Sequence, residues 1–440
     1  MKPWPFSGAS CEMMRSDLRF HRLPGLLLDM CQRYRYFLLG IYVLFRCLDL
    51  YSQVQLRWLD YDHDLQFLAW FERMRQSERV FDDFVPFYGP LLLYFSYPLF
   101  YLVGGGILGT NVLIHVIWPC LSLACAIGVA HLLFETPRRR MAFLLFVGIL
   151  DLPFIHYTSF LRVWIGILAA ALWARGIGNG GMKYVVPAGA VSALSFLFSP
   201  EVGIYVLLAI FAATVSSLSK TLRLCPPFLA GFAAILGPYA LASPKELSLY
   251  LNFALSRTNY NWYSGSLFPS LAPTWPAIAF WGALFLQIAL FLSLFRHSPH
   301  PPPNLPPEGG GRRGVGRQEG GAELRAVVAL SVLSFTTAFS VPSLDHLRYS
   351  FPPMAVAVCL ILSRGGSEKE GNGSGSRKTW WGVLVTSLCL LTLAVVIPLF
   401  VLDKHSSPGK TLFDIGVTVM PREWKTVIKQ AVGIRGWARG

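Results

Sequence analysis

The sequence predicts an all-α protein, a polytopic bundle of about eleven membrane-spanning helices. Of its 440 residues, 54% are hydrophobic and only 14% are charged, and the mean hydropathy is +0.48. Soluble domains carry about 25% charged residues. Apolar runs near the roughly 20 residues that cross a bilayer recur along the chain, without the short alternating segments of a transmembrane β-barrel.

Two other features of the composition exclude broad classes of function. The net charge is +14, but the basic residues are scattered rather than gathered on one module, which argues against nucleic-acid binding. The eight cysteines show no Cys-x-x-Cys or Cys/His ligand spacing, so no structural metal site is predicted. No cofactor is predicted, and the need for a divalent metal in a reaction is left open.

The rule that basic loops stay in the cytoplasm decides which apolar runs cross the membrane and in which direction. The predicted spans are residues 36–51, 109–134, 141–157, 159–175, 184–198, 201–218, 224–242, 273–295, 325–342, 350–363 and 380–402. The predicted units are a cytoplasmic segment 1–35, a membrane core 36–298 with a first external loop 52–108, a disordered cytoplasmic linker 299–324, helices 325–402 with a linker 364–379, and an external tail 403–440. This predicts a multi-pass protein of the plasma (inner) membrane.

One further apolar run, residues 88–106, is predicted to lie at the external surface without crossing. If it crossed, Arg138–Arg140 and the later basic loops would fall outside the cell, whereas a juxtamembrane helix puts five basic loops inside. Pro98 and the Gly104–Gly106 end are typical of a short, broken helix.

This topology gathers unusual polar residues at the external face. Ionisable groups at membrane depth are costly and point to function. Aspartates could act as general base, arginines could bind a phosphate, and aromatic rings could stack on a sugar. The residues concerned are Asp60, Asp62, Asp64, Tyr88, Asp151, His156, Arg162, Glu201, Arg257, Trp262, His346 and Arg348.

Each of these residues also has a purely structural interpretation. Loop aspartates are commonly turn or cap residues, and Asp82 and Asp83 could cap the juxtamembrane helix. Arg162 and Glu201 could pair with each other or with lipid headgroups. Histidines and aromatic residues at this level are more often interfacial than catalytic.

The first loop and the segment after it resemble a known family. The aspartates Asp62 and Asp64, followed by Asp83-Phe84-Val85-Pro86-Phe87-Tyr88-Gly89-Pro90-Leu91, look like the GT-C superfamily of polytopic glycosyltransferases. The chain is more closely similar to bacterial protein O-mannosyltransferases and aminoarabinose transferases. Ser159–Arg162 and Ser199–Gly203 also look like family positions. The likeness covers mainly residues 36–205, and the large soluble C-terminal domain of the family is not evident.

The resemblance implies an inverting glycosyltransferase that takes a sugar from a polyprenyl-phosphate donor at the external leaflet and passes it to a glycan, lipid or protein acceptor. Asp62, or second Asp64, would be the catalytic base. Arg162, Arg257 and Arg348 would serve the donor phosphate, with Glu201 and His346 nearby, and Tyr88 and Trp262 would line the sugar pocket. A non-enzymatic lipid-linked sugar flippase or small-molecule permease is the alternative, and it requires ionisable residues near mid-bilayer on broken helices.

Overall fold

The computed structural model describes residues 64–86, 88–151, 160–179, 181–214, 218–260, 275–296, 315–340 and 351–365, with residues 33, 36, 38–44 and 47. Within these residues the chain is helical and has no strand, apart from an isolated bridge between Val80 and Phe84. The predicted all-α class is therefore confirmed for this part of the chain.

The described chain contains helices in the following order. They are α1 Asp64–Arg75, α2 Pro90–Leu102, α3 Gly106–Val112, α4 Trp118–Leu133, α5 Pro137–Asp151, α6 Phe160–Asn179, α7 Met182–Phe198, α8 Pro200–Thr214, α9 Leu218–Ala242, α10 Pro244–Tyr260, α11 Trp275–Arg296, α12 Val315–Ser340 and α13 Phe351–Gly365. A π-helical segment, Leu113–Ile117, joins α3 to α4 without a break.

Two of the described helices have the length and composition of membrane spans. They are Gly106–Leu133, which has 28 residues, and Leu222–Ala242, which has 21 residues. The most apolar 18 residues of these helices have mean hydropathies of 2.2 and 1.6. At about 1.5 Å per residue, both exceed the roughly 30 Å of a hydrocarbon core. Only 17% of the most apolar 18 residues of the second helix are buried inside the protein. Most of its apolar side chains therefore face outward.

Helix α2 is too short to cross a bilayer unaided. Its 13 residues give a length of about 20 Å. The helix stops at Leu102 rather than at residue 106, because Gly104 and Gly105 take positive φ angles of 106° and 65°, which glycine adopts without strain. The chain then enters α3. The placement of this helix at the external membrane surface stays a prediction.

Helices α6 and α7 pack closely and antiparallel. A Cβ on Gly176 would lie 2.5 Å from the Val185 side chain, and a Cβ on Gly166 would lie 3.5 Å from the Ser195 hydroxyl. These two contacts run in opposite directions along the two helices. Small residues allow such an approach, as is common between membrane helices.

Helices α7 and α9 cross at a pair of glycines. A Cβ on Gly189 would lie 2.0 Å from the Phe228 carbonyl oxygen, and a Cβ on Gly231 would lie 2.0 Å from the Val186 carbonyl oxygen. Backbone therefore touches backbone at this crossing. The crossing fixes α9 against α7 and so places α10, which follows α9, near the end of α7.

The beginning of α12 differs from the prediction for residues 299–324. The helix begins at Val315, inside the range predicted as a disordered linker. Leu324 is 1% exposed, and Glu323 pairs with Arg175 of α6 at 3.7 Å. These two contacts stabilise the first turns of α12 despite their glycines. Residues 299–314, 366–379 and 403–440 lie outside the described residues.

The buried apolar side chains form two clusters. The larger fills the space between α4, α5, α6, α7, α8, α9, α11, α12 and α13. The smaller joins α1, α2, the π-helical segment, the start of α6, the end of α7 and α10. Hence the bundle has a distinct end, built around the smaller cluster, where the first loop lies against the helices.

Candidate functional site

The segment Tyr88-Gly89-Pro90 is docked against the end of α7. The Gly89 N–H donates to the Phe198 carbonyl oxygen at 3.0 Å. A Cβ on Gly89 would lie 2.0 Å from the Leu197 carbonyl oxygen, so only glycine permits this approach. The contact joins the first loop to the turn at Ser199, two segments that are far apart in sequence.

Arg162 lies at this junction with its side chain buried. It is 4% exposed, its Nη1 donates to the Ser199 hydroxyl at 3.2 Å, and its guanidinium carbon lies 4.6 Å from the centre of the Tyr88 ring. The antiparallel register of α6 and α7 places the first turn of α6 level with Ser199. A guanidinium over an aromatic face is favourable, more so away from water.

The Tyr88 ring is enclosed by protein. It is 5% exposed, lies parallel to Phe67 at 5.4 Å, and meets Trp70 edge-on at 6.0 Å. Phe67 in turn contacts Trp118 edge-on at 5.0 Å. These contacts fix the ring under Arg162. They leave it without the open face that the predicted stacking on a sugar requires.

Two other predicted residues are placed near this junction. Glu201 lies two residues beyond Ser199, in the first turn of α8, and is half-buried. Asp64 is the first residue of α1, three residues before Phe67. The backbone of Asp64 therefore enters the site end of the bundle, while its side chain is outside the described part.

The structure does not place the side chains of the remaining predicted residues at this junction. Arg257 lies near the C-terminal end of α10, and only its backbone is described. Asp151 ends α5, again as backbone only. The positions outside the described residues are Asp60, Asp62, His156, Trp262, His346 and Arg348.

The acidic pair Asp82–Asp83 does not cap α2. The N-cap of α2 is Gly89, and no side chain bonds there. Asp83 accepts from the Arg79 backbone N–H at 2.7 Å, which closes a local turn. Asp82 accepts from Lys245 of α10 at 2.7 Å. The cap interpretation was therefore wrong, because the loop between these acids and α2 turns back on itself.

Sequence reasoning missed Glu246, a half-buried acid on α10. Its carboxylate accepts a hydrogen bond from the Tyr94 hydroxyl at 3.0 Å. Burial raises the pKa of Glu246, and the hydroxyls of Tyr239 and Tyr94 act in the opposite direction. The pattern Ser243-x-x-Glu246 is typical of a local helix cap. Only the fold reveals the partner on α2.

Among the described residues, no group of three or more His, Cys, Asp or Glu side chains is arranged to hold a metal ion. No family model matches the chain, and neither a curated protein nor a solved structure matches it. The site is therefore defined by its own geometry and by the sequence pattern that led to it.

Proposed function

We propose that this protein is a membrane glycosyltransferase of the GT-C type, which moves a sugar from a polyprenyl-phosphate donor to an acceptor. One observation carries the proposal. The two segments that resemble the family, Tyr88-Gly89-Pro90 and Ser199-Pro200-Glu201, meet at a buried arginine at one end of the bundle. Segments that are distant in sequence thus converge on a group suited to a phosphate.

Arg162 is the proposed ligand of the donor phosphate. A guanidinium carries five N–H donors in a planar fork that matches phosphate oxygens. Ser199 and Tyr88 hold that fork from two directions, so little side-chain freedom is lost when a phosphate binds. Arg257 and Arg348 are proposed to add positive charge, and Glu201, His346 and Trp262 to contact the sugar or acceptor. Tyr88 serves as the support of Arg162.

The proposed reaction is a single displacement at the anomeric carbon. Asp62, or second Asp64, takes the proton from the acceptor hydroxyl or amine as the new bond to the sugar forms. The bond between the anomeric carbon and the phosphate oxygen breaks on the opposite side, and polyprenyl phosphate leaves with the electron pair. Arg162 stabilises the negative charge that grows on that oxygen. The configuration of the sugar is inverted.

We also propose that the chain crosses the plasma (inner) membrane about eleven times with its N-terminus in the cytoplasm. The outward-facing apolar side chains of α9 support a lipid environment. The pair Arg175–Glu323 lies at the opposite end of α6 from Arg162. This separation supports a basic cytoplasmic end and an external site end.

The experiment compares four variants in membranes supplied with radiolabelled polyprenyl-monophosphate sugars, one hexose and one amino-pentose. Asp62→Asn, Asp64→Asn and the double variant test the base, and Glu72→Gln is the matched control, because Glu72 pairs with Arg75 on its own helix α1. The expected result is loss of transfer in the double variant and in one single variant, with the control unchanged.

Full transfer in all three aspartate variants would overturn the catalytic assignment. Movement of the labelled lipid between leaflets of proteoliposomes, without any glycosylated product, would instead establish the carrier. Reporter fusions after residues 107 and 140 test the topology independently. An external reporter at 107 and an internal one at 140 are expected, and an external residue 140 would overturn the proposed arrangement.

A further inference from the structure

Two consecutive residues of α10 hold the chain on both sides of Tyr88. Lys245 donates from Nζ to both carboxylate oxygens of Asp82, at 2.7 and 2.8 Å. Glu246 accepts from the Tyr94 hydroxyl at 3.0 Å. Asp82 precedes Tyr88 in the first loop and Tyr94 follows it on α2. Helix α10 therefore contacts the chain both before and after Tyr88, the residue that lies against Arg162.

Aromatic contacts hold α10 against the first loop and against α7. Phe81 packs against Tyr250 at 5.2 Å and against Phe253 at 5.6 Å. Tyr250 is fully buried, and its hydroxyl donates to the Phe196 carbonyl oxygen of α7. The same end of α7 receives the Gly89 N–H. Helix α10 and the Tyr88 segment are thus anchored on one common element.

The contact between Glu246 and Tyr94 is stronger than the contact between Lys245 and Asp82. The Lys245 side chain is 72% exposed, and an ion pair so open to water contributes little. Glu246 is half-buried, its carboxylate accepts the hydrogen bond from Tyr94, and the Tyr239 hydroxyl of α9 also acts on it. Burial and the neighbouring carboxylate raise the pKa of Tyr94, so its hydroxyl stays protonated and able to donate.

The local alternative for Glu246 is a helix-capping box with Ser243. That box requires the glutamate to accept from the Ser243 backbone N–H. In this protein the Ser243 N–H donates to the Tyr239 carbonyl oxygen at 2.9 Å. The carboxylate of Glu246 is therefore committed to a contact between distant parts of the chain.

We infer that Glu246 is a positioning residue, which acts through Tyr94 to clamp α2 against α10 and so keeps Tyr88 beneath Arg162. Its consequence for sugar transfer rests on the proposed function. The clamp itself does not, because it is a statement about which segments stay together. Loss of the clamp releases the Tyr88 segment from the end of α7 while the rest of the bundle stays packed.

The test is hydrogen–deuterium exchange on the full-length protein in detergent, read on peptides that cover residues 78–95. Glu246→Leu removes the acceptor and Tyr94→Phe removes the donor. Each is expected to speed exchange of the Gly89 amide about five-fold, the effect of losing one typical hydrogen bond. Glu246→Gln keeps an acceptor oxygen and is expected to restore slow exchange. Tyr101→Phe, on the same helix, is the matched control and should exchange like the wild type.

Unchanged exchange in Glu246→Leu and Tyr94→Phe would overturn the clamp, as would faster exchange throughout α6 and α7, which would mean a general loss of structure. In the transfer assay, Glu246→Leu is expected to lower kcat/KM and Glu246→Gln to restore it. If the wild-type protein transfers no sugar while Glu246→Leu still speeds exchange of residues 78–95, the glycosyltransferase proposal fails and the clamp stands.

Discussion

The two arginines of α6 occupy different environments although they belong to one helix. Arg162, at its start, is buried over Tyr88 and bonds the Ser199 hydroxyl. Arg175 lies about 20 Å further along the helix axis, partly exposed, and pairs with Glu323. The contacts of the first include a hydroxyl and an aromatic ring, and those of the second include a carboxylate.

This difference separates an arginine at the site end from an arginine that joins two helices. Arg162 contacts both segments that meet at the site end, whereas Arg175 contacts α12. The two ends of α6 are therefore suited to different tasks, and variants at each end test this view.

The largest effect is expected from Gly89→Ala, which breaks the site end. The new methyl group would lie 2.0 Å from the Leu197 carbonyl oxygen, and backbone cannot move aside without separating the first loop from α7. We expect a loss of about 3 kcal/mol or more in stability of this end, measured by thermal unfolding in detergent and by exchange of residues 85–95. Gly237→Ala, where a Cβ meets nothing within 4 Å, is the control. Equal melting temperatures for both variants would contradict this packing.

An intermediate effect is expected from Arg162→Lys compared with Arg175→Lys. Both keep the positive charge, but lysine lacks the planar fork. At position 162 we expect transfer to fall by about a hundredfold. At position 175 lysine can still pair with Glu323, away from the site end, and transfer should be unchanged. The measurement is the initial rate with a polyprenyl-monophosphate sugar. Equal losses at both positions would remove the distinction between the two ends.

The smallest effect is expected from pH at Glu246. Its pKa is raised by burial, so the folded protein binds the proton more tightly than the unfolded chain does. The protein therefore gains stability as pH falls towards that pKa and loses it as pH rises through it. Between pH 7 and pH 5 we expect the wild type to gain about 2 °C or less in melting temperature relative to Glu246→Gln. A gain of the opposite sign would show that the carboxylate is stabilised in its charged form.

The general architecture could be predicted because it follows from composition and helix length. The apolar runs predicted most helices of the described chain, but α1 and α10 lie in stretches without such a run, which were expected to be loops. Residues 315–324 were assigned to a disordered linker because of their glycines. Burial of Leu324 and the pair with Arg175 override that local tendency, and neither is visible in the segment alone.

The site could be predicted as a set of residues but not as an arrangement. Tyr88 and Arg162 stood out by type and position, yet their contact depends on the antiparallel register of α6 and α7, which close glycine contacts determine. Glu246 escaped notice because its spacing from Ser243 resembles a helix cap. Its partner, Tyr94, is 152 residues away in the chain, and no local pattern encodes such a contact.

The π-helical segment Leu113–Ile117 acts as a phase shift in an otherwise regular helix. One extra residue in a turn rotates all later side chains by about 100° relative to the earlier ones. Gly109, before the segment, packs on Phe100 of α2, whereas Trp118, after it, packs on Phe67 of α1. Deleting one residue here would leave the helix nearly as long but would turn one of these two contacts away from its partner. A related chain that lacks one residue at this position would therefore pack different side chains around Tyr88. This would hold even if the residues named above were identical in both chains.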